Sequence, residues 1–156
     1  MPATHDHSTL AARNAKALEY IKARIDDFPE WVVTIAFYEA LHSIEAAMAC
    51  DPTIQRSISH KERNSLIRQD SGYKSVWRSY KSLYDTSCIA RYMDDGEINF
   101  STYMSRAEIE NTVIGEWLHH VKAFAASKIE KAQQRAEKAK AASKPAPSKP
   151  AAPAGN

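Results

Sequence analysis

The stretch from Trp31 to Met48, "WVVTIAFYEALHSIEAAM", constrains the fold more than any other part of the chain. At 100° per residue, Thr34, Tyr38, His42 and Glu45 fall within one arc of about 80°. Val33, Ile35, Ala36, Phe37, Ala40, Leu41, Ile44, Ala47 and Met48 fill most of the remaining circumference. A helix this apolar is buried on nearly all sides. Its polar seam then needs partners, because each buried group left unsatisfied costs about 1–3 kcal/mol. Basic or aromatic residues of a neighbouring helix can supply them; otherwise the seam faces a pocket or a solvent-filled gap.

Helical periodicity continues on both sides. Leu18, Ile21, Ile25 and Phe28 are spaced for a first helix from about Ser8 to Asp27, ended by Pro29. The second helix spans about Glu30 to Cys50 and stops at Asp51–Pro52. Ser59 with Glu62 forms a capping box that opens a short third helix, and Gly72 breaks the chain after it. Tyr73, Val76, Trp77, Tyr80, Leu83, Tyr84 and Ser87 make the apolar stripe of a fourth helix, with Lys74, Arg78, Lys81 and Asp85 outside. That spacing favours core packing over a base-stacking platform.

"DDGEINFSTYM" suggests a turn and an extended loop or short hairpin. Ser105 with Glu108 caps a last helix that turns Ile109, Val113, Trp117, Val121 and Phe124 inward. These helices, joined by short connections and with no convincing sheet, predict an all-α bundle of four long helices plus one short helix. The expected organisation is a flexible start (1–7), the helical domain (8–125), a solvent-exposed helical extension (126–142) and a disordered tail rich in Pro, Ala and Lys (143–156).

At 156 residues the chain fits one domain. The opening segment has neither the charged nor the apolar region of a secretory signal, and charged residues interrupt the apolar stretch. A cytoplasmic protein with no membrane contact is the resulting expectation. Cys50 and Cys88 lack C-x-x-C spacing and read as reduced core fillers. The net charge of +2 conceals alternation: −4 over residues 1–55, +5 over 56–93, −5 over 94–121 and +6 over 122–156. Such alternation suggests either a local anion-binding face or solvated helix faces that balance one another.

"RSISHKERN" concentrates Arg56, His60, Lys61, Arg63 and Asn64 at a helix start, where free N–H groups and the dipole favour anions. His60 and Arg63 lie one turn apart and can share one anion; a capping sequence with solvated charges is the plainer alternative. A second pattern is the pair of E-x-x-H motifs, Glu39 with His42 and Glu116 with His119, as used by four-helix di-iron carboxylate proteins. With 11 glutamates and 6 histidines in the chain, two such motifs arise easily by chance. The further carboxylates required, Glu19 and Asp85, are poorly placed, so no metal and no cofactor is expected. There is no P-loop, no G-x-G-x-x-G and no G-x-S-x-G.

The succession "WVVTIAFYEALHSIEA", "SHKERN" and "YKSLYDTSCIARY" resembles the HEPN-domain proteins of bacteria and archaea, small helical bundles linked to nucleotide or RNA chemistry. The resemblance covers about residues 8–125. It implies a HEPN-like bundle, a homodimer and a groove facing RNA or a nucleotide. Ribonuclease members carry Arg and His separated by four to six residues near the dimer groove. Here the nearest arrangements are Arg56 and His60, with three residues between, and the reversed pair His60 and Arg63.

The leading expectation is therefore a binding and interaction module that presents Tyr38, His42, His60 and Arg63 to RNA or a phosphate-bearing ligand. Arg56, Lys61, Lys74, Arg78 and Lys81 would add sequence-independent attraction. The alternative is a metal-independent endoribonuclease, a toxin or defence component, with His60 as general acid or base and Arg63 or Arg56 holding the phosphate. Behind these stand a structural subunit that engages a protein partner through its C-terminal extension, and the di-iron reading.

Overall fold

The structure, a computed structural model, describes residues 4–54, 59–92 and 100–142. Among these residues every regular element is helical. Helix α1 spans Thr4–Lys22, α2 Pro29–Ala49, α3 His60–Gln69 and α4 Trp77–Tyr92, the last entered through a 3-10 turn at Lys74–Val76. A single helical turn, α5 (Phe100–Tyr103), precedes α6 (Arg106–Glu108). The chain then continues as a π-helical stretch, Ile109–Leu118, into α7 (His119–Ala142).

Helix α2 lies at the centre, packed by α1, α4, the π-helical stretch and α7. Val32, Val33, Ala36, Phe37, Ala40 and Ile44 are fully buried, as the composition of this helix dictates. By length and apolar content α2 could also cross a membrane, but 72% of that window is buried within the protein. Pro29, expected to end the first helix, begins α2 instead: it occupies the first turn, where a missing N–H costs nothing.

Several boundaries differ from expectation. Helix α1 starts at Thr4, so residues 4–7 are helical rather than a flexible lead. It stops at Lys22 because the chain tightens into turns, with Arg24 N–H donating to Ile21 O at 2.8 Å. Of the expected extended loop, residues 93–99 lie outside the described residues. Phe100–Tyr103 is a helical turn closed by Met104 N–H to Phe100 O at 2.9 Å, with Phe100 buried. Both expected caps are present in part or whole: Ser59 Oγ accepts from Glu62 N–H at 3.2 Å, and the Ser105–Glu108 box is complete in both directions.

The π-helical stretch changes the register of the last helix. An α-helix would carry the inward face from Ile109 and Val113 to Trp117. The wider turn, with i→i+5 bonding, moves that position one residue on, so the buried series is Ile109, Val113, Leu118, Val121 and Ala125. Trp117 and Phe124, expected inward, sit half-buried on the flank.

The extension after residue 125 is also less solvent-exposed than its composition suggests. Lys128, Ile129 and Ala132 are half-buried, with the Lys128 ammonium 4.4 Å from the Tyr73 ring centroid. The ammonium sits over the ring face, a cation–π placement that holds this long side chain against the body of the protein. Gly72 makes the approach possible, since a Cβ there would come within 2.9 Å of that ammonium. Residues 143–156 lie outside the described residues.

Candidate anion-binding site

The polar seam of α2 finds its partners on three other helices. Glu45 pairs with the Arg63 Nε of α3, both side chains being 10% exposed. His42 Nδ1 lies 3.3 Å from His7 Nδ1 of α1. The Tyr38 hydroxyl accepts from Arg91 Nη1 of α4 at 3.4 Å. Outside the seam, Glu39 is buried and neutralised by Lys122 of α7. Buried carboxylates with cation partners avoid the heavy cost of an isolated charge.

Around the Glu45–Arg63 pair the side chains gather into one cluster. The Ser59 cap fixes the first turn of α3 and so sets His60 and Arg63 on the same face, one turn apart. Arg63 Nη1 contacts His60 Nδ1 at 3.1 Å. The His60 ring lies 6.0 Å from Phe37 and 5.8 Å from Tyr84, centroid to centroid. Arg91, one helical turn after Ser87, donates its Nε–H to Ser87 O at 3.1 Å and spreads its guanidinium over Phe37 and Tyr38, 5.9 and 5.8 Å from their centroids. Unlike Arg63, Arg91 has no carboxylate partner among the described residues.

These contacts fix a protonation state. A guanidinium can only donate, so His60 Nδ1 must accept from Arg63 and the imidazole proton resides on Nε2. Burial, with Arg63 and Arg91 adding to it and Glu45 opposing, holds the His60 pKa below its usual 6.5. His42 is likewise lowered, by burial first, then His7 and Arg63, against Glu45. At pH 7 both rings are neutral, and His60 offers an N–H donor at Nε2 that meets no partner among the described residues. The Tyr80 hydroxyl is buried nearby, close enough to feel Arg63, yet makes no well-formed hydrogen bond.

The expected site residues divide clearly. His60 and Arg63 come together with Tyr38 through Phe37, Tyr84 and Arg91, and His42 lies near enough to Glu45 and Arg63 to feel both charges. Lys61, Lys74 and Arg78 are exposed and make no side-chain contact with this cluster, while Lys81 is engaged with Asp85 one turn on. Arg56 lies outside the described residues. The expected aromatic stripe is core: Tyr73 and Tyr80 are fully buried and Trp77 and Tyr84 half-buried. As for the two E-x-x-H motifs, Glu116 and His119 are exposed, and no three metal-ligating side chains converge among the described residues.

Sequence reasoning missed Arg91 and His7, and read Tyr84 only as part of the aromatic stripe of α4. Arg91 gave one local signal, the single cation closing an otherwise apolar and small-residue turn, "SCIARY". Its importance comes from the crossing of α4 over α2, which no local pattern reports. Comparison with protein-family models, with curated proteins and with solved structures finds no match to this chain.

Proposed function

We propose that the chain is a HEPN-like binding module that holds RNA, or another phosphate-bearing ligand, on Arg91, His60 and Tyr38, and that it works as a cytoplasmic homodimer. The observation that carries this reading is Arg91: a half-buried guanidinium over two aromatic rings, with hydrogen bonds to Ser87 and Tyr38 but no carboxylate partner among the described residues. Such a cation has no counter-ion among the described residues, and a phosphate oxygen would supply one with charge-assisted hydrogen bonds. The neutral His60 adds an Nε2–H donor, and Arg63 orients it from Nδ1 while being neutralised by Glu45. Tyr92, 75% exposed and 5.3 Å from the Arg91 guanidinium, is a surface on which a base could stack.

The same tautomer bears on the ribonuclease alternative. With Nδ1 occupied by Arg63 and the proton on Nε2, His60 has no lone pair left to act as a general base. Its chemistry is that of a donor, suited to holding an oxyanion.

The test is fluorescence anisotropy of a labelled single-stranded RNA against salt. The reading requires binding that weakens with salt and falls at least tenfold in a His60→Ala, Arg91→Ala double variant that remains folded and dimeric. Equal affinity in the double variant would remove this cluster as the site. RNA cleavage in EDTA that is lost in His60→Ala would instead favour the nuclease reading.

A further inference from the structure

A hollow lies where the end of α2 meets the middle of α7, and it shares no lining residue with the cluster around His60. Its volume is about 300 Å³. Lys128, Lys131 and Arg135 occupy one face of α7, at the i, i+3, i+7 spacing of a single helical stripe. None of the three has a carboxylate within ion-pair distance among the described residues. The one acid in the wall, Asp51, has Oδ1 already engaged by Thr53, from its backbone N–H at 3.1 Å and its hydroxyl at 2.7 Å. Three cations against Asp51 in the wall and Asp70 close behind Tyr73 and Lys128 leave a net positive charge. The C-terminal end of α2 opposes this with only about half a charge.

The second observation is independent of charge. Tyr73 lines the same hollow with 0% exposure, and its hydroxyl has no hydrogen-bond partner. Buried polar groups are satisfied in the large majority of cases, so an orphaned hydroxyl on a residue that lines a cationic pocket points to a ligand atom that a small side-chain shift would bring within its reach. Burial, with Asp51 and Asp70 adding to it, pushes the Tyr73 hydroxyl above its ordinary pKa, so it is a proton donor at neutral pH. Ala47, Pro52 and Ala132 complete the wall with apolar surface. The Lys128 ammonium itself lies 4.4 and 5.6 Å from the Tyr73 and Phe124 ring centroids and is positioned in advance.

We propose that this hollow binds a small phosphate monoester, with the dianionic group between Lys128, Lys131, Arg135 and the Tyr73 hydroxyl and its organic part on Ala47, Pro52 and Ala132. A phosphate dianion has enough oxygen acceptors to engage all three cations and a hydroxyl at once, whereas a monocarboxylate brings one charge and two oxygens. The enclosed volume suits one terminal phosphate with a small apolar group.

Isothermal titration of the full chain with phenyl phosphate tests this, with inorganic phosphate and benzoate as companions. One-to-one binding is expected, phenyl phosphate tighter than inorganic phosphate and benzoate at least tenfold weaker than phenyl phosphate. Lys131→Ala, Arg135→Ala should weaken phenyl phosphate at least tenfold, and Tyr73→Phe should weaken it without lowering the melting temperature, since the hydroxyl has no partner to lose. The Arg91→Ala chain should bind phenyl phosphate as the wild type does. No binding at millimolar phenyl phosphate, equal binding of benzoate, indifference to the α7 double variant, or a loss in Arg91→Ala would each overturn the proposal. A Tyr73→Phe chain that melts earlier would do so as well, because the hydroxyl would then be part of the core.

Discussion

Arg63→Met removes the cation from a pair whose two side chains are each only 10% exposed, while keeping most of the volume. The Glu45 carboxylate is then left buried beside Tyr80 and His42 without the guanidinium. Breaking a buried pair from one side costs about 3–5 kcal/mol. The residual exposure lets water reach the carboxylate and places this site near about 3 kcal/mol. For a domain of this size that corresponds to a melting temperature lower by about 6–12 °C. With a urea slope of about 2 kcal/mol/M, the midpoint falls by about 1.5 M.

The double variant Glu45→Leu, Arg63→Met separates a pair effect from simple loss of packing. An apolar pair of similar volume avoids both desolvated charges, so the double variant should lie within about 1 kcal/mol of the wild type and well above Arg63→Met. Urea denaturation followed by circular dichroism at 222 nm reads both. A single variant within about 0.5 kcal/mol of the wild type, or a double variant at the sum of the two singles, would show that the seam of α2 is not closed by this pair.

Three further tests address other parts of the structure. Because His42 and His60 have pKa values lowered on folding, the unfolded chain binds more protons between the folded values and 6.5. Stability should therefore be full above pH 6.5 and decline as pH falls through the window below it; urea midpoints that stay flat from pH 7 to 5 would contradict this, and the decline should shrink in a His42→Gln, His60→Gln chain. Leu118→Ala should cost about 2–5 kcal/mol, as for a core leucine. Trp117→Ala should cost less than its size suggests, because the π-helical stretch leaves Trp117 on the flank; thermal melts giving the reverse order would restore the α-helical register. Tyr80→Phe removes a buried hydroxyl with no well-formed partner and should leave stability unchanged or raise it by up to about 1 kcal/mol, whereas a clear loss would reveal a bond to Arg63 or Glu45.

Where local rules act alone, the sequence was a good guide. The apolar girth of Trp31–Met48 dictated a central helix. Proline chemistry set both its ends, although Pro29 opens α2 rather than merely closing what precedes it. Ser105 with Glu108 and Ser59 with Glu62 gave true helix starts because capping depends only on residues three apart. The spacing of His60 and Arg63 likewise placed them on one face of α3.

Other features depend on how helices meet. The shift from Trp117 to Leu118 comes from the hydrogen-bond register of the π-helical stretch, and hydrophobic spacing alone cannot distinguish it from an α-helix with a half-buried tryptophan. Arg91 gains its role from the passage of α4 across Phe37 and Tyr38, some fifty residues earlier in the chain. The basic residues Lys74, Arg78 and Lys81 were weighted for their charge, yet they lie on the outer face of α4 and its entry turn, away from the cluster. The half-buried Lys128 was hidden by an extension whose composition is that of a solvent helix; the rings of Tyr73 and Phe124 reveal why it is held.

The central claim is that α2, α3 and α4 hold His60 as a neutral Nε2–H donor beside Arg63 and Arg91. Nitrogen-15 and carbon-13 NMR of the histidine rings, titrated over pH with and without a single-stranded RNA, measures this directly. The account predicts the Nε2–H tautomer for His60, a pKa below 6.5 that rises in Arg91→Ala, and an upward shift when RNA is added. An Nδ1–H tautomer, or a His60 titration unmoved by both RNA and the loss of Arg91, would contradict it.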